Sequence, residues 1–170
     1  QSFGNIGVAS LEMVAEIYGI AITHEQAKTA IVTPLRSLPA HPDVAEGLAA
    51  LKAQGYKLVT LTNSSLEGVQ LQLKNANLSQ YFDANLSIES VGVFKPHLST
   101  YQWAIKDLGV NANDALMVAA HGWDIAGAEK AGLQTAFIRR QGKVLFPLAE
   151  KPDYNVLDVN DLAKNLAKFN

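Results

Sequence analysis

Apolar positions along the chain keep one rhythm up to about residue 38 and another from residue 43 onward. Between Ile6 and Tyr18, the residues Ile6, Val8, Leu11, Val14, Ala15 and Tyr18 recur at helical spacing, and Gly19 offers a stop. Thr23 followed by Gln26 has the form of a capping box and opens a second helix through about Leu35. "SLPAHPDV" then reads as a linker, because two prolines so close together preclude a continuous helix.

From Asp43 the pattern alternates. Asp43 stands where it would cap an amphipathic helix (Val44, Leu48, Leu51) that ends at Gly55, and "YKLVTLT" follows as a buried strand. Asn63 to Asn75 reads as helix, "DANLSIES" as strand, and Leu98 to Leu108 as a helix ending at Gly109. "ALMVAA" is a strand, Trp123 to Ala131 a helix ending at Gly132, and "QTAFIRR" another strand. "YNVLDV" and "DLAKNLAKF" close the series as a short strand and a helix, and no internal repeat interrupts it. Strands alternating with helices at this spacing build right-handed βαβ units, so the fold class is α/β with a parallel sheet between helical layers. In such folds chemistry sits in loops at the carboxyl ends of the strands.

Composition narrows the field without choosing within it. A chain of 170 residues has the length of one domain, and a core of that size buries roughly 70% of its unfolded surface. Apolar content of 48% against 18% charged excludes a disordered chain. A net charge of -2 with no basic run argues against nucleic acid or an anionic membrane as partner. The absence of cysteine excludes disulfides, zinc thiolates and Cys nucleophiles, and is compatible with the cytoplasm. No apolar run approaches the ~20 residues of a membrane span. The sequence opens on Gln1 inside helical pattern, which points to a processed or incomplete chain.

Three strand ends turn abruptly polar. At "LVTLTNSS", Thr62, Asn63 and Ser64 either cap the next helix or lend hydroxyl and carboxamide groups to an anion cradle. At "VGVFKPHLSTY", Lys95 before Pro96 either snorkels into water or aims its charge into the strand-end cleft, with Tyr101 six residues on. At "VAAHGWDIAGAEKAG", Asp124 falls in the first turn of a small-residue helix, where the macrodipole favours a carboxylate, beside His121 and Trp123. Each corner has an ordinary structural explanation. Their order, type and context are more informative together.

In that order they resemble the haloacid dehalogenase superfamily, and within it the L-2-haloacid dehalogenases. "LVTLTNSS" is similar to the second family motif, "FKPHLSTY" to the third, and "VAAHGWDIAGA" to the dehalogenase form of the fourth. The resemblance implies a Rossmann-like three-layer core over 39–170, a partial helical cap over 1–38, and a missing amino-terminal core strand. It implies hydrolysis of short 2-haloalkanoic acids to 2-hydroxy acids through an Asp ester, with no cofactor. By the same carry-over, Lys95 keeps the nucleophilic Asp ionised, and Asp124 pairs with Lys95 and helps activate water. Thr62 and Asn63 help bind substrate carboxylate and leaving halide, Tyr101 supports the network, and Trp123 offers an apolar wall. The partner implied is a small 2-haloacid; a homodimer enters only by analogy with the family.

Magnesium-dependent phosphatases of the superfamily place an acid early in the fourth loop, where this chain has Ala120. A methyl group cannot ligate Mg²⁺, which favours the metal-independent branch. The sequence departs from the dehalogenase pattern twice. Ala119-Ala120-His121 replaces the usual Ser-Ser-Asn, leaving His121 to supply a hydrogen bond to the site. The first motif, a strand ending in the nucleophilic Asp, is not found, so these residues are expected to be the carboxyl-terminal part of a longer enzyme, inactive alone. Alternatives are a Mg-dependent phosphatase of the same superfamily and a non-catalytic module binding small anions or a partner. A signalling receiver would need its acids before the Thr and Lys, whereas Asp124 follows both.

Overall fold

The computed structural model describes residues 2–168. Two helices come first, α1 (Phe3–Ile17) and α2 (His24–Ser37), packed on each other. The Thr23–Gln26 capping box forms in both directions, which accounts for the sharp start of α2. After the linker come α3 (Val44–Ala53), β1 (Val59–Thr62), α4 (Leu66–Asn75) and β2 (Ala84–Ser87). Then follow α5 (Leu98–Leu108), β3 (Leu116–Ala119), α6 (Gly122–Lys130), β4 (Gln134–Ile138), β5 (Tyr154–Val156) and α7 (Val159–Leu166). The helix read to Phe169 is described only as far as Leu166, and Phe169 lies outside the described residues.

All strand pairs are parallel, but they form two sheets: β1 with β2, and β3–β4–β5. β1 and β3 therefore have one ladder partner each among the described residues. The difference shows in burial. In β4, Thr135 to Ile138 are all buried, whereas every residue of β1 is half-buried and Val118 of β3 is 39% exposed. "YKLVTLT" was expected as a buried strand; it is shorter and half-open, because one edge of its ladder is unpaired.

Two apolar clusters hold the layers together. Leu51 of α3 packs with Ala136, Ile138, Val156, Leu162 and Leu166, joining α3 and α7 to the second sheet. Leu48 of the same helix packs with Val69, Leu73 and Leu78, joining α3 to α4. α7 buries Val159, Leu162, Ala163 and Leu166, a spacing that lines one face, and each larger side chain contributes about 1.5–3 kcal/mol on burial. Gly47 allows α3 and α7 to touch, since a Cβ there would lie 2.6 Å from Val159. On β4, Ala136 and Ile138 face α3 and α7; alternation turns Thr135 and Phe137 toward the other layer, where α6 packs and α5 packs on α6.

Three local expectations need correction. Asp43 precedes α3 but makes no capping bond, because its carboxylate is taken by Arg140 (2.7 and 2.8 Å) and by the Val159 amide (2.9 Å). This ion pair fastens the linker to the end of β4 and the start of α7. The helix expected from Asn63 begins instead at Leu66, with Ser65 as its cap rather than Asn63 or Ser64. "DANLSIES" is a strand only to Ser87, beyond which the chain tightens into a 3₁₀ turn.

Candidate active site

The three polar corners converge at the carboxyl edge of the strands. Asn63, just past β1, clamps the main chain of Lys95: its Oδ1 accepts from the Lys95 amide (2.9 Å) and its Nδ2 donates to the Lys95 carbonyl (3.3 Å). The peptide between Lys95 and Pro96 is cis. Held this way, Lys95 sends its side chain to Asp124 in the first turn of α6, where Nζ donates to Oδ2 at 2.6 Å. The two side chains are only 8% and 6% exposed. A buried charge is tolerated when paired and hydrogen-bonded, and this pair meets both conditions.

Tyr101 completes the pair. Its hydroxyl donates to Asp124 Oδ1 at 2.6 Å, so both carboxylate oxygens are engaged. Tyr101 is fully buried, and burial, followed by the hydrogen bond to the neighbouring carboxylate, pushes its ionisation far above the ordinary phenol range. It therefore remains a donor at any physiological pH. Its close approach depends on Gly127, where a Cβ would lie 2.7 Å from the Tyr101 oxygen and 2.8 Å from Pro96 Cβ.

Thr62 turns its hydroxyl oxygen to accept from the Ser64 amide (3.0 Å), and Ser87 ties the same corner by donating to the Ser64 carbonyl (2.7 Å). Thr62 and Asn63 thus shape the corner, and the clamp on Lys95 uses one of the two amide hydrogens of Asn63. His121 and Trp123 stand apart from the Lys95–Asp124–Tyr101 network. The His121 ring lies 5.3 Å from that of Trp123, tilted by 32°, and its Nε2 is 3.2 Å from Lys143 Nζ. Partial burial, then the Lys143 charge, lower the imidazole's pKa below its usual value; Asp124 acts in the opposite direction and Lys95 in the same. Trp123 is 42% exposed.

Sequence reasoning missed the loop after β4. Residues 142–147 run against the start of α6, where a Cβ at Gly122 would lie 2.6 Å from the Phe146 nitrogen and the Val144 oxygen. That loop brings Lys143 to His121, a contact between residues 22 apart with no periodic signal to announce it. Lysine in a Gly-Lys turn resembles any solvated cation. Among the described residues no group of three or more His, Asp or Glu side chains gathers.

The chain matches a family model for haloacid dehalogenase-like hydrolases over residues 6–132. (S)-2-haloacid dehalogenase 4A of Burkholderia cepacia is 38% identical over 115 residues, which is 68% of this chain and 50% of that protein. Pyrophosphatase PpaX of Bacillus cereus is 34% identical over 129 residues, 75% of this chain and 59% of that protein. The solved L-2-haloacid dehalogenase from Xanthobacter autotrophicus superposes with a TM-score of 0.88 at 25% identity, covering 99% of this chain and 77% of that one. The chain spans about half the length of the first dehalogenase relatives it matches (50% and 49%). A parallel α/β core, polar corners at its strand ends and a family match over three quarters of the length lead to one statement: this chain belongs to the haloacid dehalogenase-like hydrolases.

Proposed function

We propose that the chain supplies the Lys–Asp–Tyr half of a metal-independent 2-haloacid dehalogenase, and that the nucleophile comes from a strand seated between β1 and β3. The observation that carries this reading is the Lys95–Asp124–Tyr101 network itself, buried at the strands' carboxyl edge beside two unpaired ladder edges. A parallel strand in that gap would satisfy both ladders, bury Leu61 and Val118, and bring its last residue to Lys95. An Asp there attacks C2 of the haloacid, the carbon–halogen bond breaks, and halide leaves as an ester forms. Water, oriented by Asp124, then attacks the ester carbonyl; the carboxylate, a 2-hydroxy acid and one proton are released. Lys95 keeps the nucleophile ionised, and Tyr101 fixes Asp124. In this reading residues 1–38 belong to a cap and 39–170 to the core.

The likeness to a pyrophosphatase favours a second reading, phosphoryl transfer with Mg²⁺. The donor set does not fit it: Ala120, where such enzymes carry an acid, packs its methyl against the apolar cluster of α3 and α7. Chloride release from 2-chloropropionate separates the readings. The longer protein carrying an Asp-ended strand is expected to release chloride in the presence of EDTA, and the 170-residue chain of verified mass to release none. Full activity from that chain overturns the proposed strand, and EDTA-sensitive phosphate release from p-nitrophenyl phosphate overturns the dehalogenase assignment.

A further inference from the structure

Between α6 and the 142–147 loop lies an open cavity of about 630 Å³. Its walls are apolar, formed chiefly by Pro96, Trp123, Val144, Leu145 and Phe146, and its polar side chains are His121 and Lys143. It adjoins the Lys95–Asp124 pair through neighbouring residues, since Pro96 follows Lys95 and Trp123 precedes Asp124. The charges in this region are unevenly matched. Lys95 is neutralised by Asp124 at 2.6 Å, and Arg140 by Asp43 at 2.7 Å. Lys143 has no carboxylate partner among the described residues; its ammonium rests against the His121 imidazole.

An ammonium 3.2 Å from a ring nitrogen requires a neutral imidazole that accepts through Nε2. The contact places a fixed positive charge and a second, tautomer-dependent donor side by side at an apolar mouth. Lys95 is held by Asp124 and, in the proposed reaction, serves the nucleophile, which leaves Lys143 as the cation at this mouth without a carboxylate partner among the described residues.

We infer that Lys143 and His121 form a carboxylate-binding subsite, and that the cavity beneath them takes the apolar chain of a monocarboxylic acid longer than propionate. The inference deepens the dehalogenase reading and rests on it for the halogenated substrate alone. When the acid binds, the Lys143–His121 contact opens: the carboxylate accepts from Lys143 Nζ and from His121 Nε2, the neutral imidazole having moved its proton from Nδ1 to Nε2, and the acid's carbon chain lies along Trp123 and Phe146. Lys143 is therefore a specificity residue that acts on binding, while the bond-breaking groups stay on the Lys95 side.

The chain has two tryptophans, so Trp103→Phe leaves Trp123, in the wall of the cavity, as the sole tryptophan to be excited selectively over the five tyrosines. In that background, acetate, butanoate and hexanoate are titrated while Trp123 emission is followed. Affinity is expected to rise by about fourfold per added methylene, the scale of burying one CH₂. Lys143→Met is expected to weaken binding by roughly tenfold or more, as loss of a charge-assisted hydrogen bond does, and Lys143→Arg to retain it. Affinity that is flat with chain length, indifferent to Lys143→Met, or absent for every acid overturns the subsite. In the longer active protein, Lys143→Met is expected to raise KM for 2-chlorobutanoate with kcat little changed. Carboxylate binding without chloride release would sink the dehalogenase reading and leave the subsite standing. Chloride release with KM unaffected by Lys143→Met would do the reverse.

Discussion

Asp124→Asn isolates the physics of the buried pair. The substitution keeps the side chain's shape and an oxygen for the Tyr101 hydroxyl, but leaves the Lys95 ammonium, 8% exposed, without its counter-charge. Removing one partner of a buried ion pair costs about 3–5 kcal/mol, because the remaining charge has lost water and gained nothing. Against a total of about 5–15 kcal/mol for a typical domain, that is about a fifth or more of the stability. With a urea dependence of about 1–3 kcal/mol per molar, the unfolding midpoint falls by about 1–2 M or more. The double variant Lys95→Met/Asp124→Asn removes both charges and keeps the Tyr101 acceptor, so it is expected to recover at least about 2 kcal/mol of the loss. Circular dichroism during urea titration at pH 7 reads both. A single variant costing under about 1 kcal/mol, or a double variant no more stable than the single, refutes the idea that this carboxylate is chiefly the partner of a desolvated cation.

Gly127→Ala should destabilise by about 1–3 kcal/mol in the same titration, because its Cβ would lie 2.7 Å from the Tyr101 oxygen; an unchanged midpoint would show that the ring yields freely. Asp43, held at about 2 mainly by Arg140, has a lowered folded pKa, so its contribution of about 2 kcal/mol is complete above pH 4 and lost as pH falls toward 2. The stability gap between the parent chain and Asp43→Asn should therefore narrow over that interval, and a gap constant from pH 6 to pH 2 contradicts the assignment. His121 titrates below its usual value with Lys143 as the second cause, so Lys143→Met should move its ring-proton midpoint upward in NMR, leaving only burial and Lys95 to oppose Asp124. A midpoint that stays put removes Lys143 from the imidazole's surroundings.

Much of the fold was legible because its cues are local. The Thr23–Gln26 box, the left-handed Gly109 closing α5 and the small residues of α6 each act within a few positions of themselves. The meeting of Lys95 with Asp124 was legible from motif order, and the structure places them at 2.6 Å. What stayed hidden depends on partners distant in sequence. Asp43 satisfies every local rule for a cap, yet a guanidinium 97 residues away outcompetes the helix amides for it. Asn63 looked like a ligand for substrate, and nothing in "LTNSS" says that its amide closes on the Lys95 main chain 32 residues on. The half-open burial of β1 was equally invisible, since "LVTLT" has the composition of a core strand and only the ladder decides what covers it.

The open edges of β1 and β3 among the described residues also bear on how the chain associates in solution. Val59–Thr62 and Leu116–Ala119 carry no lysine, proline or acidic side chain to repel a neighbour, so their free amides and carbonyls form adhesive seams. Copies of the chain at high concentration should stitch together through these seams. A strand-forming peptide that pairs with either edge should therefore keep the chain in solution by occupying the seam.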